Sequence, residues 1–353
     1  IFHLGAKPKF MEILSRLRSA ARILLKGEPQ KNQRNPIPAI TPEEVAEVKQ
    51  FFPREKFFIL GHARSGTTLL MRLARLHPDV HCNYQAHFFT RKPLLKSLVD
   101  SPEIEEWLTR KSNRWNHGRD LSPLVLRAAA DIILERDAAR AGKRIVGDKS
   151  PSSVIHGQAV RDLHAVYPDA KIVYIVRDGR DVILSERFRN FVEESKFLTA
   201  EDKRIIADLR LDPAPFGDGR RSIFTETFIR RTAGDWAHDL QETEAEARRL
   251  FGDRFYALRY EDLLAHPFEE MKKVWQFLGV EAEPSLERAI LEEMRSNPDE
   301  EWQSRRNEDI ASFLPKGQSG NWARLFSERD KSLFEQVAGH MLARWKYEPD
   351  PHT

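Results

Sequence analysis

Between Gly61 and Thr68 the chain reads G-H-A-R-S-G-T-T. Two glycines, then hydroxyl residues and apolar residues at helical spacing, are the pattern of a loop that wraps a phosphate. Backbone N–H groups from Ser65, Gly66, Thr67, Thr68 and Leu69 can converge there on one concavity. At a helix N-terminus the macrodipole favours negative charge. Thr67 and Thr68 add hydroxyl donors. The usual loop of this type places a lysine after its second glycine, to reach the β- and γ-phosphates, and a hydroxyl on Mg²⁺. Here Thr67 stands at the lysine's position, and no aspartate is clearly placed at a strand end to hold a metal. A nucleoside triphosphate is therefore a poor ligand. Arg64 brings a permanently charged guanidinium that can clamp two oxygens of a tetrahedral anion. From inside the loop it can stabilise charge growing on a bridging oxygen as a group leaves.

A second stretch, Y-I-V-R-D-G-R-D-V-I-L-S-E-R-F-R-N, runs from Tyr174 to Asn190. Arg177 ends its apolar run, Ser185 follows eight residues later and Arg189 four beyond that. A helix from about Asp181 puts Ser185 and Arg189 one turn apart on the same face. Ligands of open α/β sheets bind beyond the carboxyl ends of the strands. Arg177 and the Gly61 loop both sit at such ends. Two anion sites at one sheet edge call for a ligand with two separated anionic groups.

The elements that must position these residues are read from periodicity. Phe57–Leu60, Val80–Cys82, Arg144–Val146, Lys171–Val176 and Phe255–Arg259 read as buried strands alternating with helices. K-I-V-Y-I-V-R is apolar almost throughout, as in a parallel sheet covered on both faces. Ser122 and Pro123 open a helix to about residue 140, before Gly142. Ser327 and Asp330 open the last helix with a capping box. The expectation is a P-loop-like three-layer α/β sandwich, a central parallel sheet flanked by helices. One domain spans residues 51–350, with a helical insertion at about 91–142. Residues 1–50 hold an N-terminal helix and a linker at 27–41, where Gly27 and three prolines break periodicity.

The chain has 353 residues and a net charge of +3, from 57 basic and 54 acidic side chains. That balance gives no support to nucleic-acid binding, so any anion site must be built locally. One cysteine, Cys82, excludes an internal disulfide and a Cys-rich zinc site, and points to a reducing compartment such as the cytoplasm. No run of about 18 apolar residues occurs. Residues 11–26 read as a basic amphipathic helix, expected to pack on the main domain, with peripheral membrane contact as the alternative.

Taken together these motifs resemble a sulfotransferase that uses 3′-phosphoadenosine 5′-phosphosulfate (PAPS). G-H-A-R-S-G-T-T-L-L resembles that family's 5′-phosphosulfate loop. R-D-G-R-D-V-I-L-S resembles its 3′-phosphate motif. P-K-G-Q-S-G-N-W, with Lys316 and Gly317, resembles the loop that closes over the 3′-phosphate, although Pro315 stands where an arginine is common. R-Y-E-D-L-L-A-H-P resembles the segment whose tyrosine, Tyr260 here, lies near the adenine. The resemblance covers about residues 51–350. Arg64 together with Arg189 makes it closest to the tyrosylprotein sulfotransferases and related bacterial enzymes. It implies PAPS as donor, adenosine 3′,5′-bisphosphate as product and no metal. Arg64, Ser65, Gly66, Thr67, Thr68, Leu69, Arg177, Ser185, Arg189, Tyr260, Lys316 and Gly317 would bind the nucleotide, and Arg64, His87, Lys149 and Ser185 would serve the reaction.

Lys149, in G-D-K-S-P, matches a family lysine at the bridging oxygen or the sulfuryl group, and its role with Arg64 would be to stabilise the transition state. The base departs from the branch: its glutamate position holds Gln85, and an amide cannot accept the acceptor's proton. His87 lies two residues on. In a strand-like stretch those two side chains share a face, and an imidazole suits the work. A packed core histidine is the competing reading, and Asp148 is a lesser substitute for the base. The acceptor, a small molecule, glycan or peptide, is not legible. Trp107, Arg110, Lys111, Arg114, Trp115, His117 and Arg119 could bind one or simply make a helix with a solvated basic side. A PAPS- or bisphosphate-binding protein without turnover and a P-loop kinase are the alternatives.

Overall fold

A strand buried on both faces must have a neighbour on each edge and helices above and below it. The strand Lys171–Val176 meets that condition, with every residue after Lys171 buried. The computed structural model of the chain describes residues 37–90, 95–110, 112, 114–152, 156–192, 198–296 and 318–347. Its strands are β1 (Glu55–Leu60), β2 (Val80–Tyr84), β3 (Ile145–Lys149), β4 (Lys171–Val176) and β5 (Phe255–Arg259). They form one sheet in the order β2-β3-β1-β4-β5, and every neighbouring pair is parallel.

Helices that frame the sheet are α1 (Thr67–Ala74), α2 (Ser122–Arg140), α3 (His156–Val166), α4 (Gly179–Val192), α5 (Glu226–Phe251), α6 (Pro267–Leu278) and α7 (Glu328–Arg344). Phe57, Ile59, Val173 and Ile175 share a core with Leu70 and Leu73 of α1 and with Met271 and Trp275 of α6. Alternate residues face the other way: Phe58 meets Tyr167, just past α3, edge-on with ring centroids 5.0 Å apart. On that side α5 packs against α3 and α7. The three-layer architecture follows from this alternation, because each layer covers one face of strands that are apolar on both.

α2 is tied to the sheet by buried charge. Lys56 Nζ of β1 lies 2.6 Å from Glu135 and 3.5 Å from Asp131, and the buried Arg127 pairs with Asp131 at 2.9 Å and Asp169 at 2.7 Å. Such charges persist in the interior only when each has a partner. The described chain falls into two compact units. Ser97–Ser122 belongs to a small one, while Ala39–Lys96 and the residues from Pro123 onward make the large one that holds the sheet.

The ends of two strands differ from the sequence expectation, and β1 and β3 also start at Glu55 and Ile145 rather than at Phe57 and Arg144. β3 runs to Lys149 rather than ending at Val146, and β2 runs to Tyr84 rather than Cys82. In both cases polar residues continue the strand. Asn83 pairs with Asp148 and Tyr84 with Lys149 across the ladder, and the Asn83 amide also donates to the carbonyls of Leu134 and Gly147. The last helix keeps its expected start, with Ser327 and Asp330 bonded reciprocally as a capping box.

Candidate functional site

The loop between β1 and α1 turns at two places where a side chain cannot fit. A Cβ on Gly61 would lie 2.7 Å from the carbonyl oxygen of Ile175 in β4. Gly66 has φ +88°, and a Cβ there would fall 2.2 Å from Tyr260 Cδ2. Gly66 is thus needed both for its left-handed backbone and for the ring packed against it. Arg64 holds φ 73° with a side chain, a conformation that costs energy and tends to be kept where function requires it. Ser65 is fully buried and its hydroxyl has no hydrogen-bond partner among the described residues, so a donor inside the loop is suited to an anion.

Four segments meet around this loop. Arg64 Nε donates to Ser185 Oγ on α4 at 3.0 Å. Lys149, at the end of β3 and fully buried, donates to Thr68 Oγ1 at 3.2 Å, and its ammonium lies 3.8 Å from the ring centroid of Tyr84. Arg177, at the end of β4, donates to the Arg64 carbonyl at 3.2 Å and to the Gln318 carbonyl at 2.9 Å. Its guanidinium stands 4.8 Å from the centre of the Tyr260 ring, and its Nε is buried with no partner among the described residues. Burial raises the Tyr260 hydroxyl above its ordinary pKa. Leu69 is partly buried on α1. Arg189 lies one turn beyond Ser185 and is paired with Glu186 at 2.5 Å. Lys316 and Gly317 lie outside the described residues, as does Lys111.

Sequence reasoning missed what anchors the segment after Lys316 and Gly317. Asp181 on the first turn of α4 accepts from the backbone N–H of Gly320 at 2.7 Å and of Trp322 at 3.2 Å. Arg180 stacks on the Trp322 ring at 3.5 Å while Asp178 holds its guanidinium. Burial raises the Asp181 carboxyl above the ordinary range, against Arg177 and the two amides, which lower it. The four-residue spacing of Arg177 and Asp181 in R-D-G-R-D was a signal available in the sequence, and the two charges lie 3.9 Å apart although Arg177 precedes the helix.

The premise behind the candidate base is corrected by the backbone. β2 ends at Tyr84, and Gln85 and His87 have φ of 57° and 52°, so neither is in a strand and no shared strand face exists. His87 is placed instead by side chains. Its N–H donates to Ser150 Oγ at 2.9 Å, and its Nδ1 lies 2.9 Å from Thr90 Oγ1. Ser150 in turn donates to Asp148, which also accepts from the Ala86 N–H at 2.9 Å. Burial raises the Asp148 carboxyl despite those two bonds. Of the aromatic and basic candidates for an acceptor, Trp107 and Trp115 are 56% and 47% exposed with rings 5.1 Å apart. Arg110 beside them pairs with Glu106, and Arg114, His117 and Arg119 are exposed. Among the described residues no cluster of His, Cys, Asp or Glu is arranged to hold a metal ion, and no helix is long and apolar enough to cross a membrane.

The chain is similar to known proteins across this region. It is 26% identical to a protein-tyrosine sulfotransferase of Drosophila melanogaster over 227 residues, which is 63% of this chain and 38% of that protein. It is 26% identical to mouse sulfotransferase 1 family member D1 over 179 residues, 48% of this chain and 53% of that protein. The chain thus spans about half or less of these relatives' length. Among solved structures, a mouse sulfotransferase complexed with PAP shares 16% identity at a TM-score of 0.45, covering 86% of this chain and 90% of that one. The sulfotransferase domain from the curacin biosynthetic pathway shares 18% at a TM-score of 0.47, covering 84% and 98%. The family model of the sulfotransferase domain matches residues 54–346, the whole stretch that builds the sheet and its loops, and the chain belongs to that family.

Proposed function

We propose that this chain transfers a sulfuryl group from PAPS to a hydroxyl or amine acceptor and releases adenosine 3′,5′-bisphosphate. The observation that carries the reading is the Arg64–Ser185 hydrogen bond at 3.0 Å. It joins a 5′-phosphate loop to a candidate 3′-phosphate motif, as a ligand with two separated anionic groups requires. The unpartnered Ser65 hydroxyl and Arg177 Nε are donors suited to such a ligand.

The donor supplies an activated sulfuryl group, and the chain's own residues would do the rest. N–H groups and hydroxyls from Ser65 to Leu69 would hold the 5′ end. Arg64 and Lys149 would stabilise the charge that develops on the departing phosphate oxygen. Arg177, Ser185 and Arg189, with Lys316 and Gly317, would hold the 3′-phosphate, and Tyr260 would lie beside the adenine. His87 would accept the proton that the acceptor hydroxyl loses as the new S–O bond forms and the old one breaks. Residues 51–350 would make the catalytic domain. The acceptor would be a small molecule, a glycan or a peptide, and residues 11–26 would contact either this domain or a membrane surface.

The experiment is a labelled-PAPS transfer screen across phenols, sugars, amines and tyrosine peptides. Turnover on one class is the expected result. Bisphosphate binding with no turnover on any class would favour a binding protein in which Gln85 has replaced the branch's base. Binding of ATP–Mg²⁺ in preference to the bisphosphate would overturn the reading altogether.

A further inference from the structure

Behind the loop lies a small chamber of about 10 Å³, whose walls include Gly61, Thr90, Ser150, Tyr174, Asp239 and Thr243. Tyr174, on β4, is 1% exposed, and its hydroxyl has no hydrogen-bond partner among the described residues. A buried hydroxyl left unmatched loses its hydration with nothing in return, so its partner must be sought in the chamber. Room of this order holds one water, provided that several polar groups face it. Thr90, Ser150, Asp239 and Thr243 meet that condition.

Two of these groups lead out of the chamber to the site. Asp239, on α5, places Oδ2 2.8 Å from Nδ1 of His62 in the loop, and its Oδ1 accepts from Thr243 at 3.1 Å. Thr90 places its hydroxyl 2.9 Å from Nδ1 of His87. A threonine hydroxyl has a single proton. If that proton is directed into the chamber, its oxygen must accept from His87 Nδ1–H, which leaves Nε2 bare and able to take a proton.

We propose that the chamber binds one water molecule that accepts from Tyr174 and Thr90 and donates to Asp239, making Asp239 a positioning residue for the His87 ring. The chain of bonds runs from His87 Nδ1–H to Thr90, from Thr90 to the water, and from the water to the Asp239 carboxylate. The Tyr174 and Thr90 hydroxyls then each have an acceptor in the water. Asp239, held also by His62, couples the loop to the imidazole and fixes its tautomer. The proposal rests on the reading of His87 as the base, but its structural half stands apart from turnover.

The test is ¹⁵N NMR of the histidine-labelled full chain with adenosine 3′,5′-bisphosphate, the His87 signals being assigned by their loss in His87→Gln. The expected spectrum shows His87 protonated at Nδ1 and bare at Nε2. Thr90→Val, Tyr174→Phe and Asp239→Asn should each convert it to a mixture of tautomers. Tyr174→Phe keeps the shape of the residue and should fold even if a change at Asp239 does not. In turnover, Tyr174→Phe should lower kcat on the order of tenfold, a part of a general-base contribution, with the donor KM within about twofold. A His87 protonated at Nε2, or one indifferent to both Tyr174→Phe and Asp239→Asn, would overturn the proposal. So would a rise in donor KM at constant kcat, which marks a loop defect. A chain that transfers to no acceptor but shows the expected tautomer and its three responses would sink the enzyme reading and leave the water site standing.

Discussion

Arg64 Nε and Ser185 Oγ lie 3.0 Å apart, although 121 residues separate them in the chain. The bond joins the loop after β1 to the helix after β4, two neighbouring strands of the parallel sheet. A serine that accepts from Arg64 keeps its own proton to donate. A guanidinium carries five N–H donors in a rigid fork whose geometry matches a tetrahedral anion. In the proposed function, this one bond would orient donors toward both ends of a doubly anionic nucleotide.

Arg64→Lys is the informative change here. A lysine carries the charge but not the planar fork, so it cannot hold Ser185 and an anion together in fixed geometry. Turnover should fall by about 100-fold or more, the range seen when one preorganised donor at the reacting centre is removed. The affinity for adenosine 3′,5′-bisphosphate should change far less. A variant with near-normal kcat would show that Arg64 supplies only charge.

Arg177→Ala should discriminate between two ligands. Arg177 also props the Arg64 carbonyl and the Gln318 carbonyl, so some loss is expected for any nucleotide. A missing charge-assisted contact to a 3′-phosphate adds about 1.5–3 kcal/mol. The bisphosphate should therefore weaken far more than adenosine 5′-phosphosulfate, which has no 3′-phosphate. Equal losses by calorimetry would make Arg177 structural.

The sheet was legible in the sequence where apolar residues ran without a break. β4 and β5 have the expected limits, and β1 gains only Glu55 and Lys56. β3 was cut short because Asp148 and Lys149 are charged, yet both are buried in a strand paired on each side. Their cost is offset by the bonds that Asp148 accepts from Ala86 and Ser150 and the bond that Lys149 donates to Thr68, which no local pattern announces. The loop residues and Arg177 were legible because their chemistry is local. The His62–Asp239 pair was not, because it joins residues 177 apart. Nor were the positive φ angles of Gln85 and His87, since neither residue type signals a left-handed backbone as glycine does.

Gly66→Ala should be damaging for two reasons that can be separated. The left-handed backbone alone costs a residue with a Cβ roughly 1–2 kcal/mol. The contact with Tyr260 adds to that, because a ring carbon would lie 2.2 Å from the new methyl. Adding Tyr260→Ala to Gly66→Ala should remove the clash and leave the backbone cost. Thermal denaturation of the single and double variants checks this. A Gly66→Ala protein as stable as the parent would mean that the loop relaxes freely.

Asp181 gives the folded state a pH signature. Burial raises its carboxyl pKa in the fold, so the folded state binds a proton more tightly than the unfolded chain. Stability from this group is fully present below the ordinary carboxylate value of about 3.9. It declines as pH rises through the higher folded value. Asp181→Asn loses an acceptor for the Gly320 or Trp322 N–H, an offset that does not vary with pH. The melting temperature of Asp181→Asn minus that of the parent should therefore rise with pH from about 4 upward. A difference that stays flat or falls would mean that the Asp181 charge is fully stabilised by Arg177 and the two amides.

The last prediction concerns the base. His87→Ala should lower turnover by about 100-fold or more, the usual size of a general-base contribution, with bisphosphate affinity nearly unchanged. A hydroxyl acceptor needs help to lose its proton near neutral pH, and the amide of Gln85 cannot provide it. His87 reaches its place through Ser150 and Thr90 rather than along a strand, so its orientation does not depend on Gln85. The two positions can therefore be tested independently. Gln85→Glu in the His87→Ala background should restore part of the rate, because the carboxylate would stand at the position where the resemblance implies a glutamate base, next to the N–H that bonds Lys149 O at 2.9 Å. Asp148 is the rival, but it already accepts from Ala86 and Ser150. A proton delivered there would weaken the bonds that hold the His87 segment, because a neutral carboxyl is a poorer acceptor than a carboxylate. Near-full activity in His87→Ala, with loss in Asp148→Asn, would move the base to Asp148.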